Sequence, residues 1–562
     1  MNKSNLKRRI SLIIRIIIPA ILLMLGLQYY SLNYPRAIVS IDEGLIAASV
    51  RRILLGEVAF RDFHMSYGPG IYYLYSWILK LIKIDIFLLG RLWQMLLVSI
   101  FSVIVYYISL RILPRFLAFF AGLYTLFVCR IGYNFGWASA HSFAVLFAFI
   151  SLLFIFKFYE RDKKIYLILS GIFIGLTALF FYPWAIFTGF AIFMHLILKK
   201  YIFNKDNNLG SKYSMKRLFP NIFIILLSCI AVVLFPVIYF CFHASLNGLI
   251  RELFILPAKI IKGQQLAFYP KIIYTNYMDF LHVNSLYFPI FIIILSLIVF
   301  LYHFKTKRLS LKDSHVLLLI ILSIVTYGYF HKTPGESHWF VILPPINILG
   351  LYLVYKAALY IFKSTGAIIV AYVKKFILVL FIIPMIVYYF EPPYTSLWDG
   401  GTLNIYWGLK YLCRNFNNHN TLFRFLFKER SREPEYYCPD NYEHEVAYYI
   451  KRHTSPNDKI YVFATSPLLY YLADRSNPTK TDEFLMGGFG IERENEAISY
   501  LELDPPKYII LVPNMFTQQS WDHHRILANY ILRNYYQVDN INNYLIFAKR
   551  PQKAFSLPLI KE

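Results

Sequence analysis

Hydrophobic positions along this chain fall into long runs separated by short polar breaks. Read by eye, they predict about eleven segments near the roughly 20 residues that a bilayer requires. These lie near 11–30, 87–110, 115–131, 139–158, 165–181, 183–198, 218–243, 286–304, 315–331, 339–361 and 374–390. Tyr182-Pro183 interrupts one apolar run. Because proline breaks helices, that dipeptide is read as a turn between two spans.

After about residue 391 the pattern changes. Three short β-like runs appear, KIYVFA (459–464), KYIILVP (507–513) and YLIFAK (544–549), with helix-like stretches near 441–453, 491–503 and 521–535. Such alternation predicts a compact α/β domain. The expected organisation is an α-helical multi-pass membrane domain, 1–390, followed by an extracytoplasmic α/β domain, 391–562.

Composition agrees with a membrane protein: 58% of the 562 residues are hydrophobic and 16% charged. The formal charge of +25 would fit a nucleic-acid partner if it were concentrated on one soluble face. Instead the cations recur in every second loop: Lys3 to Arg9, Arg111/Arg115, Lys157 to Lys164, Lys199 to Arg217, Lys305 to Lys312, and Lys363 to Lys375. That alternation is the positive-inside pattern. It predicts a cytoplasmic N-terminus, an extracytoplasmic C-terminal domain and no nucleic acid. The first segment is read as a retained span, not a cleaved signal peptide.

The long outer loops are then 31–86 and 244–285, with a short one at 332–338. The first holds SIDEGLIAASVRRILLG (40–56), in which Leu45, Ile46, Val50, Ile53 and Leu54 fall broadly on one helical face. A second helical run, Pro69 to Ile84, carries Tyr72, Tyr73, Tyr75 and Trp77. Both read as helices lying in the membrane interface. Ser40-x-x-Glu43 has the form of a capping box, and Asp42 in the first turn suits the helix dipole. On that reading the acidic pair merely starts a surface helix. A functional reading stays open beside it, since Glu43 can cap while Asp42 faces a cleft.

These residues carry a resemblance. An Asp-Glu pair after the first span, a helix ending in Leu-Leu-Gly-Glu, then Phe-Arg-Asp-Phe, Tyr-Gly-Pro-Gly and Gly-Arg-Leu (90–92) resemble the first outer loop of the GT-C membrane glycosyltransferases. Within that superfamily the chain looks like the protein mannosyltransferase-like and aminoarabinose transferase-like families. The resemblance implies transfer of a sugar from a polyprenyl-phosphate carrier to an extracytoplasmic acceptor that is a glycan, a lipid or a protein. It assigns the catalytic carboxylate to Asp42. Transfer needs a base to take the acceptor's proton, and cations or a metal to stabilise the departing phosphate. Asp42 is expected as that base, in an inverting displacement. Glu43 and Asp62 are expected to orient the acceptor or a divalent cation, for which Asp42 and Glu43 would be the ligands.

Outer-face cations that could meet the phosphate are Arg51, Arg52, Arg61, Arg130, Lys259, Lys262, Lys271 and Lys332, of which Lys259 and Lys262 are favoured. They sit in ELFILPAKIIKGQQLAFYP (252–270), a mixed apolar and basic loop. In KTPGESHWF (332–340), Glu336 and His338 form a carboxylate-x-His pair suited to a phosphate, a sugar hydroxyl or a metal. Anchoring the next helix at the interface is the competing reading for His338, with Trp339, and an interfacial place is the competing reading for His141. His523-His524 lacks a third ligand at zinc-like spacing and reads as a solvated helix face. Cys413 and Cys438 are on the oxidising side and are able to pair.

Three other functions compete. A transporter or flippase for a lipid-linked sugar predicts charges within spans and an internal repeat, neither of which is evident. A ligase or polymerase of surface polysaccharide also uses lipid carriers. A non-catalytic assembly protein predicts no requirement for Asp42.

Overall fold

The computed structural model describes residues 16–29, 41–65, 67–127, 139–203, 215–258, 277–306, 309–330, 336–362, 442–463, 466–483, 490–512 and 524–551. Ser40, Arg130, Lys259, Lys262, Lys271, Lys332, Cys413, Cys438, His523 and the expected span at 374–390 lie outside them. The chain divides into two compact units that do not follow its linear order. One contains residues 1–35, 88–236 and 266–434. The other joins residues 36–87 and 237–265 to 435–562.

The first unit is a helical bundle, and the chain is a multi-pass membrane protein. Its helices are α1 (Ile16–Tyr29), α4 (Ile86–Ser109), α5 (Arg115–Phe127), α6 (Ala140–Arg161), α7 (Ile165–Phe203), α8 (Met215–Phe242), α10 (Tyr277–Lys305), α11 (Leu311–Phe330) and α12 (Glu336–Phe362). Among the described residues, five helices are long and apolar enough to cross a membrane. An all-round apolar helix belongs either inside a bundle or against lipid, and two helices illustrate the choice. The best span segment of α6 is 78% buried, whereas that of α8 is 6% buried and exposes Phe219, Phe223 and Phe235.

Helix α7 covers both predicted spans at 165–198. Its backbone leaves helical geometry at Phe181 (φ −151°, ψ 95°), two residues before Pro183, so two helices meet there across a kink. Small residues let α7 approach α8 closely. A Cβ on Gly171 would fall 2.3 Å from the Ile225 carbonyl oxygen, and one on Gly175 2.7 Å from Val232 Cβ. One buried polar chain inside the bundle links three of its helices. Tyr159 Oη lies 2.7 Å from His195 Nδ1, and His195 Nε2 lies 2.8 Å from the Ser314 carbonyl oxygen.

In the second unit, α2 (Ile41–Leu54) and α3 (Pro69–Leu81) come from the long loop at 31–86. Helix α9 (Leu246–Ile250) and a π-helical turn (Arg251–Ile255) follow the long helix α8. The remainder is the α/β region, with α13 (Tyr442–His453), β1 (Ile460–Phe463), α14 (Leu468–Ala473), α15 (Gly490–Leu503), β2 (Tyr508–Leu511), α16 (Arg525–Asn534), β3 (Tyr535–Ile541) and β4 (Tyr544–Lys549). The sheet order is β1-β2-β4-β3. Strands β1 and β2 are parallel, and β4 is antiparallel to both β2 and β3.

Alternation along β1 sends Ile460 and Val462 to one face and Tyr461 and Phe463 to the other, and all four are buried. The first face packs on Val446, Ala447 and Ile450 of α13 and Leu469 and Tyr470 of α14, and Ala48 of α2 joins this core. The opposite face packs on Ala497, Leu501, Leu527 and Ile531 of α15 and α16. The predicted strands become β1, β2 and β4. Strand β3 was not foreseen. It begins where α16 ends and turns into β4 through Asn542 and Asn543, both at positive φ (50° and 71°). Such a two-residue turn is the usual link of a tight hairpin.

Two expectations are corrected. One alternative reads the acidic pair as the start of a surface helix lying in the interface, yet every residue of α2 from Glu43 to Val50 is buried. Its polar positions are covered because α3 and α14 pack on it. His524 was expected on a solvated helix face. It is buried at the start of α16, with Nδ1 3.7 Å from Glu494 Oε1.

Candidate functional site

Helix α2 fits the α/β region because of its glycine near the N-terminal end. A Cβ on Gly44 would fall 2.8 Å from Leu468 Cβ and 2.9 Å from the Leu468 amide nitrogen. At the other end, Leu-Leu-Gly stops the helix. Gly56 adopts φ 95°, and the amides of Gly56 and Glu57 return to the carbonyls of Ile53 and Arg52.

The basic pair of α2 then ties the loop to the segment 474–482. Arg51 Nη2 donates to Asp474 Oδ1 at 2.8 Å. Arg52 is buried and donates to Asp482 Oδ1 (2.8 Å), Glu57 Oε2 (2.7 Å) and the carbonyl oxygens of Thr479 (3.0 Å) and Asp62 (3.2 Å). The His64 amide donates to the Lys480 carbonyl oxygen at 2.9 Å.

Asp42 stands half-buried in the first turn of α2. Tyr67 Oη donates to its Oδ2 at 3.2 Å. Burial pushes the Asp42 carboxyl above its ordinary 3.8, and the Tyr67 hydrogen bond opposes part of that rise. The buried phenols of Tyr67 and Tyr72 are raised by burial and by the charge of Asp42. Glu483 is buried in the same neighbourhood. Burial first, then the charges of Asp42 and Asp482, push its carboxyl up to about 8.

Of the other expected site residues, Glu43 follows Asp42 and is buried. Asp62 and Arg61 bind one another. Arg61 Nη2 lies 2.8 Å from Asp62 Oδ2, which also accepts the Val58 amide at 2.7 Å, so Asp62 closes a turn. Arg51 and Arg52, considered as phosphate ligands, are engaged by carboxylates. Glu336 and His338 open α12, and only their backbone is described. In the bundle, His141 is buried at the start of α6, with its ring 4.2 Å from that of Phe181.

The residues that sequence reading missed are Tyr67, Glu483 and a buried cluster around Glu252. His64 stands between two carboxylates, Nδ1 3.0 Å from Glu252 Oε1 and Nε2 3.1 Å from Glu496 Oε2, and Arg493 pairs with Glu252. Tyr67 does lie in the Tyr-Gly-Pro-Gly stretch that carried the resemblance. Nothing local marks Glu483 or Glu252. Among the described residues, no three His, Cys, Asp or Glu side chains are grouped to hold a metal ion.

No protein-family model and no curated protein matches the sequence. Solved structures do match the fold. The archaeal oligosaccharyltransferase AglB from Archaeoglobus fulgidus, in complex with an inhibitory peptide and a dolichol-phosphate, aligns over 97% of this chain and 75% of its own. The TM-score is 0.51 and the identity 10%. ArnT from Cupriavidus metallidurans, bound to undecaprenyl phosphate, aligns over 96% of this chain and 99% of its own, with a TM-score of 0.50 and 12% identity. The chain shares the fold of these two structures, a helical membrane part followed by a C-terminal α/β region.

Proposed function

We propose that this protein is a GT-C type glycosyltransferase that moves a sugar from a polyprenyl-phosphate-linked donor to an extracytoplasmic glycan, lipid or protein, with Asp42 as general base. The observation that carries the reading is the half-buried Asp42 carboxyl, raised by burial and hydrogen-bonded by Tyr67, on a chain with this fold. Support for the donor class comes from the dolichol-phosphate and undecaprenyl phosphate bound to the similar structures.

A raised carboxyl is a better proton acceptor than an ordinary aspartate, provided it remains ionised at working pH. In the proposed step Asp42 takes the proton of the acceptor hydroxyl or amine as that atom bonds to the anomeric carbon. The bond from that carbon to the phosphate oxygen breaks, its electron pair leaves with the phosphate, and the configuration inverts. Glu43 orients the acceptor. Lys259, Lys262, Lys332, Glu336 and His338 remain proposed donor-side groups. We place the protein in the cytoplasmic membrane with the N-terminus inside and the α/β region outside, on the alternation of basic loops.

The test compares the wild-type chain with Asp42→Asn, reading transfer from a polyprenyl-phosphate sugar by mass spectrometry of membrane lipids and envelope glycans. Transfer is expected to fall by about 10²–10⁴-fold, the usual contribution of a positioned base. Membrane insertion should be unchanged. An active Asn variant overturns the assignment.

A further inference from the structure

Glu483 is 6% exposed, and its Oε1 has no hydrogen-bond partner among the described residues. Burying a carboxylate without a donor or a cation is costly, so such a group keeps its proton. The neighbours make ionisation harder still. Asp42 and Asp482 both carry like charge toward it. The nearby cation, Arg52, is committed to Asp482, Glu57 and two backbone carbonyls. The position of Glu483 is not left to a loose loop. Thr479, Lys480 and Asp482, just before it, are each held to the first outer loop, and Asn477 Nδ2 adds a bond to Asp482 Oδ1 at 2.8 Å.

We propose that Glu483 is a second acidic residue of the Asp42 site and acts as a neutral acid, donating a hydrogen bond to a phosphoryl oxygen of the lipid-phosphate donor. The inference rests on the reading of Asp42 as the base of a lipid-phosphate glycosyltransferase. The two carboxyls then divide the work. Asp42 is charged and accepts a proton from the acceptor. Glu483 is uncharged and offers its proton to the oxygen that gains charge as the phosphate leaves. A hydrogen bond to an ionised oxygen is among the strong ones. A second carboxylate in its place would repel the phosphate. Glu483 keeps its proton through the cycle, so the products are the glycosylated acceptor and polyprenyl phosphate, with the acceptor's proton on Asp42.

The experiment measures binding of undecaprenyl phosphate to the purified full-length chain in lipid nanodiscs between pH 6 and pH 10, beside Glu483→Gln and Glu483→Ala. Undecaprenol, which lacks the phosphate, is the control. Wild-type affinity for undecaprenyl phosphate should fall by about tenfold as pH rises through the range where Glu483 ionises, the scale of one charge-assisted hydrogen bond. Glutamine imitates the protonated acid, so Glu483→Gln should bind at every pH and lose that dependence. Alanine should bind weakly throughout, and undecaprenol should show no such dependence in any variant. A pH dependence that survives in Glu483→Gln, a Glu483→Ala variant that binds like wild type, or the same alkaline loss with undecaprenol overturns the inference alone. A wild-type chain that does not bind undecaprenyl phosphate at any pH overturns the lipid-phosphate reading and the inference with it. Asp42→Asn separates the two further, since it should lose transfer and keep binding.

Discussion

Arg52 donates to Asp482 across 2.8 Å, joining two buried side chains 430 positions apart in the chain. This pair holds the helix that carries Asp42 to the segment that carries Glu483. Asp482 Oδ1 also accepts Asn477, and Arg52 Nε also meets Glu57.

Removing one partner of that pair should be worse than removing both. A buried ion left alone typically costs about 3–5 kcal/mol, whereas replacing the whole pair with apolar groups is often near neutral. Arg52→Met should therefore lower the unfolding temperature of the purified protein sharply. The double variant Arg52→Met, Asp482→Leu should recover part of the loss. Calorimetry in detergent checks this, and a single variant that melts like wild type removes the pair from the account.

Tyr67 sets the working range of the proposed base. Its hydrogen bond favours the ionised form of Asp42, against the rise that burial produces. Without the phenol, the Asp42 carboxyl should rise further. The acid limb of the transfer pH profile should then move up by about one unit in Tyr67→Phe, the worth of one hydrogen bond to a charged group. Activity at pH 8 should change less than activity at pH 6. An unmoved acid limb would separate Tyr67 from the base.

The cluster around Glu252 makes a different pH prediction. Burial alone would raise this carboxyl, but the hydrogen bond and charge of His64 and the charge of Arg493 outweigh it and hold it at about 2. A carboxyl depressed in the folded state stabilises the fold above its ordinary value near 4.5 and stops doing so as pH falls through about 2. Glu252→Gln should therefore melt below wild type at pH 7. The gap should narrow from pH 4.5 downward and nearly close at pH 2. Parallel melting curves across that range would show that the carboxylate charge contributes nothing.

Several elements were legible from local pattern alone. Lengths of apolar sequence mark membrane helices whatever they pack against, because a bilayer demands that length and composition of any span. Strands β1, β2 and β4 announced themselves as short β-branched and aromatic runs. Asp42 drew notice by standing beside Glu43 at the start of a helix after the first span. Strand β3 escaped because its residues, Tyr-Tyr-Gln-Val-Asp-Asn-Ile, are mixed in polarity and mostly open to solvent, so no buried face stamps a period on them.

The partners of each side chain were decided only in three dimensions. Arg51 and Arg52 look like any pair of basic residues facing phosphate, and folding gives them to Asp474 and Asp482 instead. His524 looks solvated beside His523 and is buried against Glu494. Glu483 carries no local mark, and it matters because burial takes away its water while its neighbours supply no countercharge. Hydropathy and periodicity belong to a short stretch of chain and can be read there. A carboxyl's proton affinity depends on what folding brings beside it, and here those groups come from opposite ends of the sequence.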